Sequence, residues 1–327
     1  MLNRLFFRNS SAVVFVALAA ALLIAQQPAQ PPTPQTQQKP KIEDAIVQKG
    51  EPEPGADSGI EYICPMDPDV RSKTPGKCPI CGQMLVPGLP DPHEYPFQIT
   101  TTPAVLKANQ PVRMHFHIED PITNKQVTDY VVMHEKLYHL FVVSQDTMFF
   151  NHVHPIKQAD GSFILDETFP HPGLYRILSD LYPDGGTPQL IPSTVMVSGE
   201  GFKIAPAKLT ADMKPKHDIN LSAELVTDPP EPIAGFKTLL FFKLTPDDHI
   251  EKYIGAWGHM LVASSDLIDM IHTHPAYEPT DPDSGAYKQV QFNVIFPRAG
   301  IYKVWTQFQR DGKVNLVVFN VAVKNLE

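Results

Sequence analysis

The sequence predicts a mainly β chain: a small cysteine-bearing ribbon followed by two tandem antiparallel β-sandwich modules. Three observations carry that expectation. From Tyr95 onward, short apolar or alternating runs such as HLFVVS, KTLLFFKL, HMLVASS and VNLVVFNVAV are broken by Gly, Pro, Asp and Asn, which is the pattern of strands and turns. The same region is duplicated: LYHLFVVSQDTMFFNHVHP is echoed by WGHMLVASSDLIDMIHTHP, with each histidine recurring 120 positions later. All three cysteines fall in one short, loop-rich stretch, at 64, 78 and 81, too poor in apolar residues to fold on a core of its own.

Arg4 and Arg8 precede an uncharged apolar run from Ala12 to Ala25, the layout of a secretory signal. The run is short for a membrane span, which needs about 20 residues, yet no A-x-A cleavage site follows it: Ala29 has Gln27 two places before it. Residues 1–25 therefore read either as a cleaved signal peptide or as a retained N-terminal anchor. Both place the remainder outside the cytoplasmic membrane, in the periplasm or another extracytoplasmic space.

Residues 26–60, with QQPAQPPTPQTQQKP and EPEPGADSG, hold proline, glutamine and charge with few apolar side chains. Such a segment cannot offset its ordering entropy and serves as a semi-extended tether. The ribbon is expected over 61–90, the first sandwich over 95–200 and the second over 203–325. The formal net charge is −9 and no lysine or arginine cluster occurs, which argues against a nucleic-acid surface.

In YICPMDPDVRSKTPGKCPICGQMLVP, Cys78-Pro-Ile-Cys81 is a C-x-x-C knuckle and Cys64 stands 14 residues before it. That spacing lets three thiolates converge on one ion, which would then supply most of the folding free energy. A Cys78–Cys81 disulfide with Cys64 left over is the competing reading in an oxidising compartment. The segment resembles the short heavy-metal-binding domain found beside copper-transporting P-type ATPases and in adaptor subunits of heavy-metal efflux pumps. Its Y-x-C-P-M-H-P and P-G-x-C-P-x-C-G-M-x-L pattern is matched by Tyr62, Cys64, Pro65, Met66, Pro68, Pro75, Gly76, Cys78, Pro79, Cys81, Gly82 and Leu85. Asp67 stands where the family has histidine, and Gln83 where it has methionine. The resemblance implies a bound heavy metal with Cys64, Cys78 and Cys81 as ligands. The fourth ligand stays open: Asp67 would suit zinc, and Met66 or Met84 would suit copper. The chain carries no second apolar span, no D-K-T-G-T and no heptad hairpin, so neither a transport ATPase nor a coiled-coil adaptor is expected.

Two sandwiches of immunoglobulin-like or cupredoxin-like shape fit the strand count and spacing beyond the ribbon. The repeat extends past the histidines, since FPHPGLYRI at 169–177 corresponds to FPRAGIYKV at 296–304, with Gly173 and Gly300 leading into strands. SQD and SSD lie midway between the histidines of each copy and mark hairpin turns. A turn near 145–146 sets His139 opposite His152 or His154 on one face, and the same argument joins His259 with His272 and His274. Each trio could then hold one Cu²⁺ or Zn²⁺ and leave a coordination position open. The alternative is that these imidazoles cap turns or fill cores. His115, His117, His134 and His171 have no counterpart in the second copy and are expected at the surface. Met133, Met148, Met260 and Met270 are expected to pack rather than ligate. HEKLYH, from His134 to His139, spaces its histidines five apart and so cannot be the helical zinc-protease motif.

No catalytic motif is evident. The leading expectation is a non-enzymatic exported protein that binds copper or zinc for capture, chaperoning or resistance, with a metal efflux system as a partner. The alternatives are a tethered pair of interaction modules with only a structural zinc ribbon, and a copper-dependent enzyme.

Overall fold

The computed structural model of the protein describes residues 61–64, 70–88, 93–204, 207–276 and 289–326, and its regular elements are strands throughout. The expected signal or anchor and the tether, at 1–25 and 26–60, lie outside the described residues, as do Met66 and Asp67.

Three short strands, β1 (Glu61–Ile63), β2 (Arg71–Ser72) and β3 (Val86–Gly88), form the ribbon in the order β2-β1-β3. Its interior consists of Cys64, Cys78 and Leu85 with Tyr62 and Val70 packed against them. So small an apolar cluster contributes only a few kcal/mol. The ribbon leans on the following sandwich through Arg71, whose Nη1 donates to the Gly185 carbonyl at 3.0 Å, and through the Lys73–Asp184 ion pair.

The first sandwich contains β4 (Phe97–Thr102), β5 (Leu106–Lys107), β6 (Pro111–Ile118), β7 (Tyr138–Ser144), β8 (Phe150–Val153), β9 (Ile156–Lys157), β10 (Phe163–Thr168), β11 (Gly173–Leu181) and β12 (Gln189–Ser198). One sheet runs β4-β6-β10-β9 and the other β5-β12-β11-β7-β8. Strand β6 alternates strictly, burying Val112, Met114, Phe116 and Ile118, the signature of a strand with one face on a core. These side chains meet Tyr138, Leu140, Val142, Tyr175 and Ile177 of the opposite sheet.

The second sandwich repeats the plan with β13 (Lys216–Asp218), β14 (Leu221–Asp228), β15 (Lys237–Thr245), β16 (Ile250–Glu251), β17 (His259–Ser264), β18 (Met270–Thr273), β19 (Gln289–Ile295), β20 (Gly300–Arg310) and β21 (Lys313–Val323). Here β13-β14-β15-β19 faces a sheet in which β20 lies between β17 and β21. The repeated FP-x-x-G-x-Y segment makes the same corner twice: the Tyr175 hydroxyl donates to the His171 carbonyl at 2.8 Å, and that of Tyr302 to the Arg298 carbonyl at 3.0 Å. Gly173 and Gly300 sit two residues before these tyrosines with φ of 151° and 150°, a conformation that side chains resist.

Strands β7 and β17 do not alternate. Every residue of Tyr138–Ser144 and of His259–Ser264 is buried, because both faces of each strand are covered. Inward residues fill the sandwich cores. Outward ones, Phe141 and Val143 from the first module and Leu261 and Ala263 from the second, join Leu178, Leu267, Met270 and Trp305 in a third apolar cluster. The two sandwiches therefore pack sheet against sheet. At about 1.5–3 kcal/mol per large apolar side chain removed from water, this cluster makes the module interface a third core.

Candidate metal centres

In the ribbon, backbone bonds close the knuckle: Cys78 N–H donates to the Gln83 carbonyl at 2.7 Å and Gly82 N–H to the Cys78 carbonyl at 2.9 Å. Gly82 adopts φ of 73°, which the tight return after C-x-x-C requires and glycine supplies without strain. The three sulfurs lie within 4.8 Å of one another, with Cys64 Sγ 3.4 Å from Cys81 Sγ and no disulfide between them. Burial pushes the Cys78 thiol up, but the backbone N–H groups of Cys81 and Ile80 and the thiols of Cys64 and Cys81 outweigh it and hold the thiol below its usual value. A stabilised thiolate is the form that binds metal. Met84 is half-exposed at the ribbon surface.

The histidine hairpins form in the expected register. Phe141 pairs with His152 and Leu140 with Val153, which carries His139 opposite His154. In the second copy Leu261 pairs with His272 and Met260 with Thr273. Ser144 and Ser264 hold the turns, each hydroxyl donating to the carboxylate two residues on, Asp146 at 2.5 Å and Asp266 at 2.6 Å. The side chains of both trios project from the outward faces of β7–β8 and β17–β18, and so into the module interface.

The second trio brings one nitrogen of each ring within 4.8 Å of the other two, whereas in the first His139 and His152 group in this way with His259, and His154 meets His139. The ring centres of His139, His152 and His154 lie 5.4, 4.9 and 4.8 Å apart, and those of His259, His272 and His274 lie 5.9, 4.6 and 4.4 Å apart. His139 Nδ1 stands 3.1 Å from His152 Nε2 and 3.3 Å from His154 Nε2, while His259 Nδ1 stands 3.1 Å from His274 Nε2. Ligands placed tetrahedrally at 2.0–2.1 Å from one ion are about 3.3–3.4 Å apart, so these separations fit the edges of a coordination polyhedron.

The outer hydrogen bonds fix the tautomers. His139 Nε2–H donates to the Met133 carbonyl at 3.0 Å, and His259 Nε2–H to the Tyr253 carbonyl at 2.9 Å. His152 Nδ1–H donates to Gln307 Oε1 at 2.7 Å, and His272 Nδ1–H to Asp180 Oδ2 at 2.6 Å. Each ring thus keeps its other nitrogen unprotonated and turned toward its neighbours. His139 Nδ1 and His152 Nε2 oppose two lone pairs at 3.1 Å. His272 Nε2 is buried with no hydrogen-bond partner among the described residues. Facing lone pairs repel unless a cation lies between them, and a proton is a poor candidate: burial, with help from neighbouring imidazoles, pushes His152, His272 and His274 far below the usual histidine range, His259 to about 4 and His154 to about 3. The donor set fits a borderline divalent ion, and its outer partners are the kind that orient metal-ligating imidazoles.

Two carbonyl-bearing turns flank the site. Met133–Lys136 and Tyr253–Ala256 close with positive φ at His134, Glu135, Ile254 and Gly255, and their first carbonyls receive the ring N–H of the histidine six residues on. His134, expected at the surface, instead stacks on His274 with ring centres 3.7 Å apart. Its place in the site depends on the facing module, which no local pattern reveals. HEKLYH is a turn running into a strand, as its spacing requires. His115 and His117 lie half-buried on the outer face of β6, and His171 sits by the first corner, away from the trios. Met260 packs in the second core and Met270 in the interface, whereas Met133 is 42% and Met148 79% exposed and fill no core.

Residues 93–199 and 221–325 match the model of Domain of unknown function (DUF8832), one copy per sandwich, and residues 61–87 match that of the Heavy metal binding domain. No curated protein matches the chain. Among solved structures it is similar to the Escherichia coli adhesin FdeC, at 12% identity over 74% of this chain and 71% of that one, with a TM-score of 0.25. It is similar to the Yersinia pseudotuberculosis adhesin InvE at 13% identity over 69% and 58%, with a TM-score of 0.23. The fibronectin(III)-like modules of Clostridium thermocellum CbhA match at 12% identity over 70% and 95%, with a TM-score of 0.19. The chain thus spans little more than half of the InvE structure, and likeness at these scores carries no argument about the site.

Proposed function

Because the chain belongs to the DUF8832 family, with one histidine trio in each matched segment and a Heavy metal binding domain match ahead of them, we propose that it is an exported copper- or zinc-binding protein. Its role in this reading is capture and holding of metal ions rather than catalysis, with delivery to an efflux system or resistance as the outcome. The ribbon supplies Cys64, Cys78 and Cys81, and the sandwiches supply His139, His152, His154, His259, His272 and His274. One observation carries the histidine part: four rings spend an N–H on an outer acceptor and turn bare nitrogens toward one another inside a buried interface. A merely structural histidine cluster would place protons between those nitrogens. The apolar run and tether ahead of residue 61 support export to an oxidising, metal-exposed compartment.

Elemental analysis of the purified chain after Zn²⁺ or Cu²⁺ loading tests the proposal. More than one ion per chain is expected, the excess disappearing when His152, His154, His272 and His274 become alanine. A stoichiometry of one that survives those changes and vanishes with Cys78→Ser would favour an interaction protein with a structural zinc ribbon.

A further inference from the structure

We infer that the two trios work as one two-ion centre assembled across the module interface, in which each module orients a ligand of the other; this rests on reading the trios as metal ligands. The first observation is reciprocity. Asp180 lies opposite His139 in the β7–β11 register, and Gln307 lies opposite His259 in the β17–β20 register, so the two occupy equivalent positions in the duplicated sheets. Both hydrogen-bond across the interface. Asp180 of the first module accepts from His272 of the second, and Gln307 of the second accepts from His152 of the first. Each sandwich separated from the other would keep its trio but lose one orienting partner.

The second observation is proximity. His139 and His259 stack across the interface with ring centres 5.5 Å apart and planes 24° from parallel. The centres of His152 and His259 are 5.4 Å apart, and those of His152 and His272 6.0 Å. One ring nitrogen from each of His139, His152 and His259 falls within a 4.8 Å set, and the same holds for His259, His272 and His274, so His259 belongs to both groupings. An ion on an imidazole nitrogen lies about 3 Å from the ring centre. Ions held by His139 and His259 are therefore no more than about 12 Å apart, inside the range over which two Cu²⁺ spins broaden each other's resonance.

The third observation is charge. The two halves are equivalent in geometry but not in their outer acceptors, since Asp180 is a carboxylate and Gln307 a neutral amide. A carboxylate behind the imidazole raises its basicity as a ligand, so the trio of His259, His272 and His274 fills first.

Copper titration of the full-length C64S/C78S/C81S chain, followed by electron paramagnetic resonance, tests this. Expected are a single mononuclear Cu²⁺ spectrum at one equivalent and, at two, dipolar broadening with a half-field transition. H259A should bind one ion and lose the half-field signal. Q307A should keep the fold and weaken the second, weaker ion about 10-fold or more. Two ions giving the plain sum of two isolated spectra would overturn the two-ion centre while leaving metal binding intact, as would saturation at a single shared ion. Absence of any histidine-dependent copper would overturn the proposed function as well.

Discussion

Asp180 accepts the Nδ1 proton of His272 at 2.6 Å from the opposite sandwich, against a ring whose side chain is only 1% exposed. Burial raises the carboxyl of Asp180 to about 6, partly offset by the His139 and His134 imidazoles. Asp180→Ala should lower the Zn²⁺ affinity of the second trio about 10- to 100-fold, as read by chelator competition on the chain lacking ribbon cysteines. Asp180→Asn keeps an acceptor oxygen and should lose less. Equal affinities in all three proteins would remove Asp180 from the site.

Acid should unfold the metal-free protein before it harms the metal-loaded one. His259 and His154 are held at about 4 and about 3 by burial and nearby imidazoles, against about 6.5 in an unfolded chain. Between those values the unfolded state binds more protons, so stability rises with pH through the window and is complete above about 6.5. Asp180 works in the opposite sense between about 4 and 6, but it is one carboxyl against several imidazoles. Urea midpoints of the metal-free chain should fall between pH 7.5 and pH 5, and an unchanged midpoint would contradict the neutral buried cluster.

Metal removal should affect the ribbon locally. Its interior is only Cys64, Cys78 and Leu85 with Tyr62 and Val70 packed against them, so chelation should open residues 61–88 to protease while both sandwiches resist. Cys78→Ser should reproduce that cleavage without chelator.

Trp305 is 2% exposed and stacks on Phe150 of the other module with ring centres 5.3 Å apart. Trp305→Ala should cost about 3–5 kcal/mol, measured by denaturant unfolding, and should weaken histidine-dependent metal binding. Normal metal affinity in a destabilised W305A chain would separate the interface from the site.

Much of this was readable from the residues. Alternation in VRMHFHI gave β6, the SQD and SSD turns gave both hairpins, and the constant pairing sum placed His139 across from His152 or His154, of which the register selects His154. What stayed hidden is whatever the second module contributes to the first. HLFVVS and HMLVAS look like ordinary buried strands, yet their continuous burial reports a face covered by another domain. Asp180 and Gln307 sit 92 and 155 residues from the rings they orient, and no local period links them. His134 was legible only as an unmatched histidine for the same reason.

The most direct test of the central claim is an anomalous difference map from crystals of the Zn²⁺-loaded protein. Peaks about 2.0–2.1 Å from His139 Nδ1 and His152 Nε2, and from His259 Nδ1 and His272 Nε2, are the predicted result. A single peak at Cys64, Cys78 and Cys81, with the six imidazoles hydrogen-bonded to one another and no density between them, would contradict it.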